Sequence, residues 1–340
     1  MAADPKPRVG IERLAYYVPP EIQTSEYIAA ASGIPRDVIE QKFGIKQRHK
    51  AGPGEQVSDM GLEACRRALG DLDPGKLDLV VYCGSEYKDY YLYNLAAHVA
   101  ERLGARNANA FEIHSLCSCG VWSLKVLKSM MLADPELRNV LLFTSSKETD
   151  VVDLSNQRSR FMFNFGDGAA AALLRRDGER NIILETRMIT DGRFAADVAV
   201  YGVGSRNWHR LDSLDRSQRS LDLADPASMK ERLDPISLGN FCSVVADAAA
   251  RSGYEGKIDF LAPIFMKRSI LGGILSNLGL REEQTFVLED FGHCQSADAY
   301  IACVEGEKAG RLKDGDLAVL FGAGTGYTWA ATAVKWGPAD

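Results

Sequence analysis

The sequence predicts an α/β protein whose sheets are largely parallel and covered on both faces, and three observations carry that reading. Leu77–Cys83 and Val140–Thr144 are almost unbroken apolar runs of strand length, the pattern of strands buried on both sides. Between them lie stretches with helical spacing, such as Met60, Leu62, Ala64, Cys65, Ala68 and Leu69. The same rhythm then starts again past residue 175, so the chain reads as two similar halves, 1–175 and 176–340.

In order, Val9–Tyr17 reads as a first strand closed by Pro19-Pro20. Thr24-Ser25 caps a short helix over Glu26–Ala31, and another follows near Asp37–Lys42. A helix over Ser58–Leu69 precedes the Leu77–Cys83 strand, and a helix over Leu95–Leu103 follows it. Gly168–Leu174 and Ile182–Ile189 are two more strands. The second half gives helices near Leu238–Ala250, Ile270–Leu278 and Ala297–Ala309. It also gives strands at Ile258–Pro263, Gln284–Glu289, Leu317–Phe321 and Tyr327–Trp336. Ser205–Leu233, polar and rich in Arg and Asp, reads as a long loop capping a site.

The chain has 340 residues, too many for one small core, which fits two units. Its formal charge of −6 argues against nucleic acid or an anionic membrane as partner, so an acidic ligand needs a local basic patch. Met1 to Pro7 holds no apolar run of the signal-peptide kind, and no run of roughly 18 apolar residues stands out. With seven cysteines, an odd number, this points to reduced thiols and a cytoplasmic protein.

The most informative stretch is Ala110–Leu124. Phe111 and Ile113 alternate as in a strand, and from Val121 the apolar positions take helical spacing. Cys117 sits at the junction, where free helix N–H groups and the helix dipole favour thiolate. A free cysteine in a core is otherwise a small apolar filler. The placement here points to a nucleophile that carries an acyl group. His114, Cys117 and Cys119 make a His-x-x-Cys-x-Cys run, but one strand–helix junction does not wrap an ion and a second ligand pair is missing, so no metal is expected.

Four segments in order resemble β-ketoacyl-ACP synthase III and its relatives in the thiolase superfamily. They are Lys42–Arg48, the Cys117 junction, Phe165-Gly166-Asp167-Gly168-Ala169 and Phe321-Gly322-Ala323-Gly324-Thr325-Gly326. The resemblance implies a five-layered αβαβα fold built from two duplicated halves and a homodimer. It also implies acyl-CoA or acyl-carrier-protein thioesters as substrates, with no permanently bound cofactor beyond that coenzyme A or phosphopantetheine thioester. It makes backbone N–H groups of Cys117 and Ala323 the oxyanion hole, and leaves Phe165–Gly168 a structural turn.

Two departures shape the expected chemistry. The family's catalytic histidine position is Ile264, and its catalytic asparagine position is His293, with Asp298 five residues on. Decarboxylative condensation uses two side-chain donors on an enolate oxygen, and isoleucine donates nothing. A single histidine suffices for acyl transfer, and Asp298 is placed to orient it. Cys117, His293 and Asp298 are therefore the candidate catalytic residues of an acyltransferase resembling the starter-unit branch of polyketide and other secondary-metabolite pathways. The alternatives are a decarboxylative condensing enzyme for starter units and a partner subunit of a heteromeric synthase. By position, Lys42, Arg158, Arg160, Lys267 and Arg268 are expected around the phosphates. Val38 stands where the family stacks a tryptophan on adenine. Ile264 and Leu92, the latter within the tyrosine-rich run Glu86–Tyr93, are expected at the acyl pocket, with subunit packing as the other reading of that run.

Overall fold

The structure, a computed structural model, describes residues 7–339; Met1 to Lys6, most of the stretch weighed above as a signal sequence, lie outside them. Counting only strands of the main sheet, the elements run β1 (Val9–Tyr17), α1 (Ser25–Ser32), α2 (Val57–Leu69), β2 (Leu79–Gly84), α3 (Leu95–Leu103), β3 (Asn109–His114), α4 (Cys119–Ala133), β4 (Asn139–Ser146) and β5 (Gly168–Arg176). Then come β6 (Arg180–Thr190), α5 (Pro226–Arg251), β7 (Phe260–Pro263), α6 (Arg268–Asn277), α7 (Asp298–Lys308), β8 (Leu317–Gly324) and β9 (Thr328–Pro338).

The nine strands lie in the order β7-β8-β9-β6-β1-β5-β4-β2-β3. β1 and β6 meet through a single register pair, Gly10 with Ile182, so the sheet is two half-sheets joined at one point. The first half-sheet is β3-β2-β4-β5-β1, with β2 parallel to both β3 and β4 and the remaining pairs antiparallel. The second is β7-β8-β9-β6, with β7 parallel to β8 and the rest antiparallel. A parallel bridge from Leu261 in β7 to Thr285 occupies the place that β3 fills beside β2.

Helices α4 and α7 pack between the half-sheets and touch each other, α2 and α3 cover the outer face of the first, and α5 with α6 cover the second. This is the thiolase-like αβαβα sandwich. Each layer contact has its own apolar core, and in the central one Leu124, Leu127 and Met131 of α4 are fully buried. Each such side chain contributes about 1.5–3 kcal/mol by leaving water. Leu116–Ala133 is long and apolar enough to cross a membrane by length and composition, although Lys125 and Lys128 interrupt its apolar run; here it leads into and forms the central helix, its burial supplied by two sheets.

Three expected elements differ. Gln284–Glu289 is not a strand: a 3-10 turn ends at Gln284 and only Thr285 pairs. The long helix starts at Pro226, not Leu238, because Asp225 caps it by accepting the N–H groups of Ala227 and Ser228. That shortens the expected loop, which elsewhere holds short 3-10 turns. The helix after the thiol begins at Cys119, two residues earlier than the apolar spacing indicated.

Candidate active site

Cys117 lies in a 3-10 turn, Leu116–Ser118, between the end of β3 and the start of α4. Leu116 takes φ 49°, a left-handed conformation that costs a non-glycine residue on the order of 1–3 kcal/mol. That bend presents the thiol away from the strand axis. Close approach of β8 explains two glycines. A Cβ at Gly324 would sit 2.5 Å from the Ser115 carbonyl oxygen and 3.2 Å from the Cys117 nitrogen. One at Gly322 would lie 3.2 Å from the Cys117 carbonyl oxygen. Ala323 is held between them, pairing with Trp329.

His293 comes from the other half of the chain, just ahead of α7. Its Nε2 is 3.3 Å from Cys117 Sγ, and its Nδ1 is 2.6 Å from Asp298 Oδ2. Asp298 is buried and further fixed: Oδ2 accepts the Phe265 N–H at 2.8 Å and Oδ1 accepts the Cys294 N–H at 2.7 Å. With Asp298 accepting at Nδ1, Nε2 is the nitrogen left to exchange a proton with the thiol. Burial alone pushes the imidazole pKa down. Attraction to Asp298 and Cys117 outweighs it and holds the group well above its ordinary value, so the imidazolium is favoured.

Backbone pins complete the junction. Ser296 Oγ donates to the Leu116 carbonyl at 2.7 Å and Tyr300 Oη to the Gly120 carbonyl at 2.7 Å. The Phe165 ring packs edge-on against the imidazole, with centroids 4.8 Å apart, while the His293 N–H donates to Asn164 O and the Gly166 N–H to His293 O. The Phe165–Gly168 turn therefore does more than shape the chain: it holds the histidine. Gly120 has no room for a side chain, since a Cβ would lie 2.4 Å from the Ser296 carbonyl oxygen. Gly120→Ala is expected to destabilise the fold by about 1–3 kcal/mol through overpacking and to lengthen the thiol–imidazole contact. A thermal melt beside an iodoacetamide labelling rate for Cys117 checks both; an unchanged melt would mean the turn yields freely.

The sequence matches the 3-oxoacyl-(acyl-carrier-protein) synthase III family over residues 111–192, and that family's C-terminal part over residues 250–336. A β-ketoacyl-ACP synthase III of Sulfurimonas denitrificans is 27% identical over 329 residues, 95% of this chain and 96% of that one. One from Desulfitobacterium hafniense is 28% identical, over 96% of this chain and 98% of its own. The crystal structure of the priming β-ketosynthase of the R1128 polyketide pathway shares the fold, with a TM-score of 0.85 at 23% identity and 99% of each chain covered. The chain is β-ketoacyl-ACP synthase III-like. It is an enzyme of ketosynthase III type within the thiolase superfamily. The curated relatives' names are those of synthases of β-ketoacyl chains, and they fit the condensing reading of the sequence better than the acyl-transfer reading.

In this ketosynthase III-like chain, Cys117 opens on a cavity of about 1400 Å3. Tyr87, Tyr90, Tyr91, Leu92 and Tyr93 line it, and Leu92 is 94% exposed at φ 55°. Ile264 sits elsewhere, in the outer core beside Gly322, where it forms part of the apolar packing against Cys117. Of the basic residues expected at the phosphates, Arg158 is tied to Asp222 and to the carbonyls of Leu223 and Ala224, and Arg268 pairs with Glu289. Lys42, Arg160 and Lys267 are exposed, and none of the five is among the residues lining the cavity. Arg216 and Arg219 line it instead, brought there by the polar loop, and sequence position alone did not single them out. Cys119 packs against the junction, its Sγ donating to the Ile113 carbonyl at 3.0 Å, and His114 is engaged with Glu112 at 3.1 Å.

Two further cavity residues had no sequence signal. Glu148, 2% exposed and opening the 3-10 turn Glu148–Val151 just past β4, accepts hydrogen bonds from Ser85, Ser146 and Gln295. Burial pushes its carboxyl up to about 7, against the serine hydrogen bonds that lower it. Gln295 lies between His293 and Asp298 at φ 53°. Its Oε1 is buried with no hydrogen-bond partner among the described residues, a state that costs about 1–3 kcal/mol. Because the folded Glu148 holds its proton to higher pH than an unfolded carboxyl of 4.5, its share of stability falls as pH rises from about 4.5 to 7. Glu148→Gln, which mimics the protonated form, is expected to flatten that decline in Tm measured against pH. Parallel curves for the two proteins would refute it.

Proposed function

We propose that this chain is an acyltransferase that carries its acyl group as a Cys117 thioester. The observation that supports it is His293 held between Cys117 and Asp298, with isoleucine where a condensing site needs a second donor. In the first step Cys117 Sγ attacks the donor's carbonyl carbon, the new C–S bond forms, and the donor thiolate leaves with a proton from His293. In the second, neutral His293 takes the proton of the incoming nucleophile, and the C–S bond to Cys117 breaks as the product forms. The Cys117 and Ala323 N–H groups are the proposed oxyanion donors.

The donor in this reading is an acyl-CoA or an acyl-carrier protein, the kind of thioester the relatives' names imply. Arg216 and Arg219 at the cavity are the cations we assign to its phosphates. A homodimer is proposed from the exposed apolar run around Leu92, Tyr90 and Tyr91. A cytoplasmic setting fits the seven free thiols, and a role in polyketide or other secondary metabolism follows the sequence resemblance. The second reading is decarboxylative condensation by His293 alone, which the names of the curated relatives favour. Malonyl-ACP offered to the acylated protein separates the two: a 3-ketoacyl product with loss of CO2 sinks pure acyl transfer. Mass gain at Cys117 followed by transfer without CO2 release supports it.

A further inference from the structure

The Lys42–Arg48 segment ends on a residue that the site described above leaves unused. Arg48 lies on the short strand Gln47–Lys50, paired with Gln23 of Glu21–Thr24, and is 2% exposed. Its guanidinium is spent on neutral acceptors. Nε and Nη2 donate to Gln23 Oε1 at 2.9 and 2.7 Å, and Nη1 donates to the carbonyls of Phe163 at 3.1 Å and Phe165 at 3.0 Å. Burial pulls its pKa down to about 10 against the attraction of Asp167, so the group is still charged at neutral pH. Hydrogen bonds from a charged donor are roughly twice as strong as neutral ones.

The stem is placed as closely as the head. A Cβ at Gly292 would lie 2.8 Å from Arg48 Cβ, and one at Gly166 would lie 3.4 Å from it. Gly292, at φ 81°, directly precedes His293. The Gly166 N–H donates to His293 O at 3.0 Å, the His293 N–H donates to Asn164 O at 2.7 Å, and Phe165 forms a parallel bridge with His293. The two carbonyls that Arg48 grips therefore flank the one that holds the histidine backbone. The thiol belongs to the first half of the chain and the imidazole to the second, and the 163–166 turn is where the first half takes hold of the second beside the 3.3 Å contact.

We propose that Arg48 is a positioning residue for the reaction at Cys117: by gripping the Phe163 and Phe165 carbonyls it fixes the turn that holds His293, and so sets the reach of His293 Nε2 to the thiol. This rests on His293 being the base of the acyl-transfer reading above. Arg48 acts through the turn and touches no reacting atom. The guanidinium shape is required, because one planar fork reaches Gln23 on one side and two carbonyls on the other, which an ammonium cannot do.

A double-mutant cycle in the full-length protein tests this, with acetyl-CoA as donor and acylation of Cys117 followed by intact mass. Arg48→Met is expected to slow acylation on the order of 10²-fold in the protein that keeps His293, the effect of a displacement of about 1 Å at a reacting atom. In a His293→Ala background the same substitution is expected to change the rate by less than about twofold, because no imidazole is left to misplace. Arg48→Lys is expected to behave like the methionine variant. Equal slowing in both backgrounds, the mark of a general loss of structure, overturns the assignment. So does an unchanged rate in the protein that keeps His293, or a wild-type rate with lysine. Where Arg48→Met gives no cooperative melt, Gln23→Met frees one side of the guanidinium and is read in the same two backgrounds. Slowing of about tenfold confined to the protein with His293 supports the assignment, and equal slowing or none overturns it. A His293→Ala protein acylated as fast as wild type removes the histidine's role and that of Arg48 with it. If wild type takes up no acyl group, the thioester reading fails alone, and the same cycle read by iodoacetamide labelling of Cys117 still decides Arg48.

Discussion

Cys117→Ala will gain no acyl mass from any acyl-CoA or acyl-ACP that loads the wild type, and turnover will fall by at least about 10⁴-fold. The size follows from the site's construction. The strained Leu116 turn, the close glycines of β8 and the 3.3 Å contact to His293 all converge on one sulfur atom. The proposed oxyanion donors are backbone groups that survive its removal, but no covalent carrier remains. The substitution is small and Cys117 is only half-buried, so the fold should be unaffected. A Cys117→Ala protein that gains the same mass as wild type would place the acyl group elsewhere and end the nucleophile assignment.

Asp298→Asn is the second large effect. Three donors point at this carboxylate: Cys294 N–H at Oδ1, and Phe265 N–H with His293 at Oδ2. An asparagine offers one acceptor and one NH2, so whichever way it turns, an NH2 faces an N–H inside a buried site. The unmet donors cost about 1–3 kcal/mol of stability. The imidazole also loses the charge that holds its pKa up and the partner that sets its tautomer. Acylation is expected to slow by about 10²–10⁴. An acylation rate, followed by intact mass, that matches wild type would make Asp298 a scaffold residue alone.

Much of this site could be read from the chain because its parts are local motifs. Cys117 was marked by a change from strand to helix spacing, and His293 with Asp298 by the resemblance of Gly292–Asp298 to the family's asparagine segment. What could not be read depends on distant partners. Glu148 and Gln295 are 147 residues apart and neither lies in a periodic pattern. The arginines look alike in sequence, yet Asp222 and Glu289 occupy Arg158 and Arg268 while the polar loop carries Arg216 and Arg219 to the cavity. Gln284–Glu289 has strand-like composition, but it sits at the outer edge of the second half-sheet, where one bridge is all that forms. The start of the long helix was hidden by polar residues and Pro235, whose helical fate is decided by the cap at Asp225.

The two half-sheets place the thiol and the imidazole at matching positions: Cys117 follows β3, and His293 follows the segment that pairs with β7 as β3 pairs with β2. The consequence concerns the chain while it is being made. The two residues are 176 apart in sequence, and closing such a loop costs on the order of 5 kcal/mol in chain entropy. A nascent chain that has folded only its first half therefore carries Cys117 with no base beside it. Its thiol acquires its histidine only after residue 293 has been made and brought against it.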